Sequence, residues 1–257
     1  MRIAVTTPLA GAPRDLEQAR SAAARHGLAL EPRGGRSLDA LAAACGAEAV
    51  LVVSAERAWL WAGGVARAWE PGMAALRLRR HEAGERATRD AFLEAAALRP
   101  GDAVLDATLG LGMDAFVAAG VIGPGGHVVG VEASPALAAF VSEGLRRHPS
   151  AAARRIEVVT GDAAEVLARL PARSFDVVVF DPMFRRPRAA GAAFDLVRRL
   201  GSPAPLSPDT LARARRVARR HVVVKDGAPG RDLARLGLAP LPCARWAKRL
   251  HARAPAL

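Results

Sequence analysis

The apolar positions of this chain follow two periods, and the points where the period switches mark its elements. Residues 2–6 carry a short run of strand formers. Residues 13–26 then set apolar side chains at helical spacing behind Pro13, with Gly27 as the stop. A weak strand is predicted at 28–32. Ser37 and Asp39 open a second helix that runs to Cys45 and ends at Gly46. Ala49-Val-Leu-Val-Val-Ser54 reads as a strand and Ala58-Trp-Leu-Trp-Ala62 as its partner, closed by Gly63-Gly64. These elements predict a small α/β domain over residues 1–65 with no catalytic motif in it.

A second domain is expected over residues 66–257. It opens with a basic connecting segment, Arg77-Leu-Arg79-Arg80-His81, followed by a helix near 88–98 and a turn at Arg99-Pro-Gly-Asp102. Strands at 103–108, 127–132, 155–160, 175–181 and 221–225 then alternate with helices near 113–120, 135–147, 163–169 and 208–219. Ser207 is placed to cap the last of these helices and Pro208 to occupy its first position. Alternation at this spacing calls for parallel strands joined by crossover helices, and so for an α/β fold with a doubly wound sheet.

Composition narrows the class. The hydrophobic share of 51% is ample for a core. No run approaches the ~18 apolar residues of a membrane span, and the first apolar segment is too short for a signal peptide. A cytoplasmic protein is expected. Cys45 and Cys243 are far apart, and the histidines are scattered with no ligand spacing to a cysteine. Neither a disulfide framework nor a metal is expected. The net charge of +12 favours a polyanionic partner, RNA first. Nearly all the basic residues are arginine, with lysine only at 225 and 248. A GC-rich coding bias explains arginine in place of lysine, but not the excess of basic over acidic residues.

The predicted strand ends carry the candidate chemistry. The first runs into Asp106-Ala-Thr108-Leu-Gly110-Leu-Gly112-Met113-Asp114, a glycine-rich turn that lets backbone approach a ligand closely. The second ends in Glu132-Ala133, where a carboxylate suits two ribose hydroxyls. The third ends in Asp162-Ala163, where an acid suits an adenine amino group, and the fourth in Asp181. Asp114 and Asp162 also suit helix caps. Ligands of open α/β sheets bind outside these carboxyl ends. An acid-rich set fits a sulfonium cofactor with an adenosine and an amino-acid tail, S-adenosylmethionine, better than a nucleotide diphosphate.

The fourth strand leads into Asp181-Pro182-Met183-Phe184, which resembles the Asp/Asn-Pro-Pro-Tyr/Phe signature of enzymes that methylate exocyclic amino nitrogens. An aryl amine is a poor nucleophile because its lone pair is delocalised. A carboxylate and a backbone carbonyl that accept both of its N–H groups hold the nitrogen in line and favour the charge that develops. The aromatic residue offers a stacking face, although Phe184 equally suits core packing. Together with the Asp106–Phe116 block and His221-Val-Val-Val-Lys225, this motif resembles the ribosomal small-subunit methyltransferase J family over roughly residues 70–227. That family comprises class I, Rossmann-like, S-adenosylmethionine-dependent enzymes acting on the N2 amino group of a guanine in 16S rRNA.

The resemblance implies cofactor contacts at Met113, Asp114, Glu132, Ala133, Asp162, Ala163 and Asp181. Met113 and Ala133 stand where enterobacterial members have arginine, Asp162-Ala163 where they have two serines, and Arg185-Arg186-Pro187 where they have proline and histidine. Glu132-Ala-Ser134-Pro is closer to uncharacterised Gram-positive-type relatives.

On this reading Asp181, the Pro182 carbonyl and Phe184 hold the target base. Arg185, Arg186, Arg77, Arg79 and Arg80 meet RNA phosphate, and Lys225 meets phosphate or base unless it is a solvated strand-end charge. The arginines of the 208–219 helix read as a solvated basic face. The expected partner is ribosomal RNA or the small ribosomal subunit. The alternatives are an amino-methyltransferase acting on DNA adenine, protein glutamine or a small molecule, and a non-catalytic cofactor- and RNA-binding module. No segment reads as a DNA target-recognition domain.

Overall fold

The computed structural model describes residues 1–84, 90–182, 192–201, 204–242 and 249–257. The chain begins β1 (Ile3–Thr6), α1 (Pro13–His26), β2 (Ala29–Leu30), α2 (Leu38–Cys45), β3 (Ala49–Val53), β4 (Ala58–Ala62) and β5 (Val65–Ala68). These strands form one sheet in the order β2-β1-β3-β4-β5, with β1 parallel to β2 and β3, and β4 antiparallel to β3 and β5. The expected stops hold: Gly27 and Gly46 take the left-handed conformation after α1 and α2, and the Ser37 hydroxyl accepts from the Ala40 amide.

The chain continues through α3 (Gly72–Glu82), α4 (Ala91–Ala96), β6 (Ala103–Asp106), α5 (Met113–Ile122), β7 (His127–Glu132), α6 (Pro135–Arg147), β8 (Ile156–Thr160) and α7 (Ala163–Arg169). It closes with β9 (Phe175–Phe180), α8 (Ala192–Leu200), α9 (Pro208–Val217), β10 (Ala218–Gly227), α10 (Arg231–Arg235) and β11 (Arg249–Pro255). The second sheet has the order β11-β10-β9-β6-β7-β8, with β6 to β10 parallel and β11 antiparallel to β10. The doubly wound α/β architecture is as the pattern predicts. Leu105, Val178, Phe180, Val222 and Val224 fill its core.

Three differences have local causes. The basic segment near 77–81 is helical, because Ala74 and Leu78 are buried and Leu78 lies over Gly120 of α5, where a Cβ would stand 2.3 Å from it. β6 stops at Asp106 and not at 108, because the chain turns there: the Asp106 carboxylate accepts from the Thr108 amide. β11 escapes the pattern because its buried positions include two alanines, Ala252 and Ala254, rather than β-branched residues.

The chain divides into two compact units. One comprises Met1–Glu70, Ser134–Pro149 and Ala190–Gly201, the other Pro71–Ala133, Ser150–Ala189 and Ser202–Leu257. Within the first, Gly144 of α6 sits against the Trp69 ring, where a Cβ would stand 2.4 Å from Trp69 Cγ. One residue earlier, the fully buried Glu143 carboxylate accepts from Arg25, Arg147 and, at 2.9 Å, His26 Nε2. Burial alone would raise its pKa. The hydrogen bonds from His26 and Arg147 and the two guanidinium charges outweigh that and hold it at about 2.

Because the folded pKa lies below the unfolded one, the stability this group contributes is present above the ordinary glutamate range. It is lost as pH falls toward 2. Glu143→Gln should cost about 3 kcal/mol at pH 7, since it leaves Arg147 buried without its counter-charge. Urea unfolding of the variant should also show a shallower loss of stability between pH 5 and 3 than the parent.

Candidate active site

The strand order sets the location. From β6 the chain winds outward through β7 and β8, then returns to β9 on the other side of β6 and winds outward again through β10. The carboxyl ends of the adjacent strands β6 and β9 therefore feed connections that diverge, which opens a crevice between them. Asp106 ends β6 and Asp181 follows β9. The turn after β6 is bonded across the gap: the Ala107 amide donates to the Val179 carbonyl at 2.9 Å, and the Asp181 amide to Thr108 Oγ1 at 2.6 Å.

The turn itself needs glycine. Gly110 has φ +53° and Gly112 φ +76°, and nothing lies within 4 Å of where a Cβ on Gly110 would be. The Gly110 amide donates to Glu132 Oε2 at 2.8 Å, which brings the end of β7 to the same turn. Gly112 then starts α5, with Met113 half-buried and Asp114 buried in its first turn. Asp162 takes the capping alternative: its Oδ1 accepts from the Ala164 and Glu165 amides at 2.8 and 3.2 Å. Ala133 is exposed and Ala163 half-buried beside these acids.

A continuous chain of charge runs beneath the turn. Asp90 caps α4 and receives Arg77 through Nε at 2.7 Å and Nη2 at 3.1 Å. Arg77 Nη1 reaches Asp114 Oδ1 at 2.6 Å, and Phe92 lies under the guanidinium. Lys225 Nζ, at the end of the buried part of β10, donates to Asp114 Oδ2 at 3.0 Å and to Asp181 Oδ2. With all three carboxylates ionised, they exceed the two cations of this chain by one.

Burial opposes the ionisation of Asp114, but Lys225 and Arg77 hold it ionised, with its pKa at about 2. Asp106 bonds to no cation among the described residues. Burial first, then the Asp114 charge, push it up to about 7. Asp181 is raised by burial against the pull of Lys225, and its Oδ1 is enclosed with no hydrogen-bond partner among the described residues. His251 of β11 pairs in register with Lys225. It is buried, both ring nitrogens lack partners among the described residues, and burial and the Lys225 charge press its pKa to about 4.

The expected site residues thus divide. Asp106, Thr108 and Asp181 are linked by direct bonds, Gly110 is bonded to Glu132 in the same turn, Gly112 starts α5, and Asp114 meets Asp181 through Lys225. Pro182 follows at the end of the described segment, whereas Met183, Phe184, Arg185 and Arg186 lie outside the described residues. Arg79 and Arg80 are exposed on α3. Arg77 and Lys225, expected to face RNA, are directed inward to carboxylates because the buried acids need counter-charge.

The arginines near α9 are not simply solvated either. Arg213 donates to the Ala164 carbonyl, Arg216 to those of Leu167 and Leu170, and Arg219 to Arg173 and Asp176. Neither Asp90 nor His251, one of the scattered histidines, is among the expected site residues. The N-cap pattern of Asp90 ahead of Ala91-Phe-Leu-Glu94 was a usable signal, and the lone histidine offered none.

Comparison with known proteins agrees with this geometry. A family model described as "Putative SAM-dependent methyltransferase" matches residues 69–236. A Bacillus subtilis (strain 168) protein, described as "Uncharacterized protein YpiP", is 33% identical over 184 residues, covering 69% of this chain and 70% of its own length. The crystal structure of the SAM-dependent methyltransferase NGO1261 from Neisseria gonorrhoeae shares the fold at 23% identity and a TM-score of 0.59, over 99% of this chain and 95% of that one. Its sheet, its glycine turn and the extent of the sequence match place the chain in the family of S-adenosylmethionine-dependent methyltransferases.

Proposed function

We propose that this enzyme methylates an exocyclic amino group of a nucleic-acid base, the N2 of a guanine in small-subunit ribosomal RNA. The observation that carries the reading is Asp181: a carboxylate at the crevice between β6 and β9, with one oxygen enclosed and unpartnered among the described residues, followed directly by Pro182. An amine N–H is the donor that such an oxygen lacks.

The residues fit the cofactor on three counts. The open side of Gly110 admits a ligand against backbone. Glu132 offers a carboxylate at the ribose end of the turn. The net negative charge of the Asp90–Arg77–Asp114–Lys225–Asp181 chain matches a cation. When bound, S-adenosylmethionine supplies a methyl group activated by a positive sulfur.

Asp181 Oδ1 accepts from the target N–H, and the Pro182 carbonyl is the candidate second acceptor. Together they hold the amine with its lone pair toward the methyl. With the cofactor bound, its methyl would pass to the nitrogen held by Asp181 and Pro182, and sulfur would keep the electron pair of the broken carbon–sulfur bond. The proton then released passes to Asp181 or to water. Phe184 and the arginines at 185 and 186 keep the roles their sequence positions suggest, stacking and phosphate contact.

A second reading keeps the chemistry and changes the acceptor to an amino group outside RNA. It draws on the inward commitment of Arg77, Lys225 and several arginines near α9, which lowers the weight of the +12 charge as evidence for a polyanion.

Incubation with labelled S-adenosylmethionine and small ribosomal subunits lacking the modification should yield labelled N2-methylguanosine. Asp181→Asn should reduce that label by about 100-fold or more. Label in a different nucleoside, or in protein, would replace the guanine assignment with the second reading. A further expectation concerns Asp106, which is neutral below pH 7 and ionised above it. Its raised folded pKa means the stability it contributes is present at acid pH and is lost as pH rises through 7. A cation bound nearby offsets that loss. The thermal stabilisation by S-adenosylmethionine should therefore grow from pH 6 to 8, while that by the neutral-sulfur product should not. Asp106→Asn should flatten the difference.

A further inference from the structure

We infer that Lys225 is a positioning residue for methyl transfer: by gripping one oxygen of Asp181 it presents the other to the target amine. The inference rests on the reading of Asp181 as the amine's acceptor. Lys225 stands one residue beyond the Val224–Phe180 pair, where β10 lies beside the end of β9, so its ammonium meets the residue that follows Phe180. It is wedged between Asp114 Oδ2 at 3.0 Å and Asp181 Oδ2, with its side chain 17% exposed. Asp114 is itself held by Arg77 at 2.6 Å and Arg77 by Asp90, so the grip has a rigid base.

A carboxylate turns easily about its terminal torsion, which has a broad, shallow preference. Pinning Oδ2 to Lys225, while the Asp181 amide is bonded to Thr108 Oγ1, removes that freedom from both ends of the residue. What remains is Oδ1, enclosed and without a donor among the described residues. An unmatched buried acceptor costs about 1–3 kcal/mol, which is tolerable where a substrate brings the donor.

Lys225 has a second effect on the same group. Burial and the Asp114 charge favour the protonated form of Asp181, a weaker acceptor than the carboxylate, and Asp106, once ionised, adds to that. Lys225 and, more weakly, Arg249 oppose them. The neighbouring His251, with its pKa near 4, contributes no charge at neutral pH. Among the described residues Lys225 is therefore the principal counter-charge favouring the carboxylate form of Asp181.

The test uses the full chain with Lys225→Met, Lys225→Gln and Lys225→Arg, and Asp181→Asn to assign the signal. Carboxyl titration by carbon-13 NMR of aspartate-labelled enzyme reads Asp181 directly, without substrate. Loss of the positive charge in the Met and Gln variants should move the Asp181 titration to higher pH, and Arg should leave it near the parent. In methyl transfer, Met should lower kcat by about 100-fold, the scale of a misplaced reacting group. Affinity for S-adenosylmethionine should hold or tighten, because a competing cation is gone, and the acid limb of the kcat profile should move to higher pH.

A purely structural lysine would instead weaken cofactor binding along with stability and leave the Asp181 titration in place. That result, or an unchanged kcat in folded Lys225→Met or Lys225→Gln, overturns the inference. Full activity in Asp181→Asn would remove the amine-acceptor reading itself, while the titration would still report whether Lys225 controls that carboxylate.

Discussion

The structure depends on how three buried or half-buried carboxylates are paired with cations at one end of a parallel sheet. Asp90, Asp114 and Asp181 come from a helix cap, a helix first turn and a strand end, and among the described residues Arg77 and Lys225 link them. Removing charge from water is costly unless each group finds a partner with good geometry. Here every link is a direct hydrogen-bonded ion pair, and the links run in series. α3, the cap of α4, the start of α5 and the end of β10 are tied to Asp181 by this chain as much as by apolar packing. The odd number of groups leaves this described set one cation short, which suits a positively charged cofactor.

The same accounting of charge changes the meaning of the arginine excess. A guanidinium presents its donors in a fixed fork and remains charged under all ordinary conditions. This chain uses that fork on its own backbone. Arg216 closes the final carbonyls of α7, Arg155 reaches the Ala119 carbonyl of α5, and Arg253 reaches those of Glu94 and Ala95 in α4. Arg220 pairs with Asp102 through both nitrogens, at 2.7 and 2.5 Å. Helix C-termini carry unsatisfied carbonyls and partial negative charge, so cations there are favourable on both grounds. Net charge is a sum over the chain and does not distinguish arginines that hold the fold from those, such as Arg79, that face outward.

Much of this was legible in the sequence, for reasons that particular residues make plain. Ser207 and Pro208 announced α9, Gly27 and Gly46 ended α1 and α2, and the valine runs of β9 and β10 declared a buried parallel sheet. Acids at successive strand ends pointed to the crevice, because a parallel sheet brings such ends together whatever their separation along the chain. What stayed hidden was pairing. Nothing in the spacing of residues 77, 114 and 225 says that they touch, and the local sequence around Arg77 and Lys225 suits an outward charge as well as an inward one. β11 was hidden for another reason: its core positions are small, and only the partner strand β10 makes it a strand.

A crystal structure of the enzyme with S-adenosylhomocysteine is the most direct test that one charge chain both supports the fold and builds the cofactor site. The ligand should lie against the Gly110–Gly112 turn, in contact with Glu132 and Asp181, with the Arg77–Asp114–Lys225 links intact. A ligand seated elsewhere, or Lys225 swung out to solvent with Asp114 and Asp181 unpaired, would contradict it.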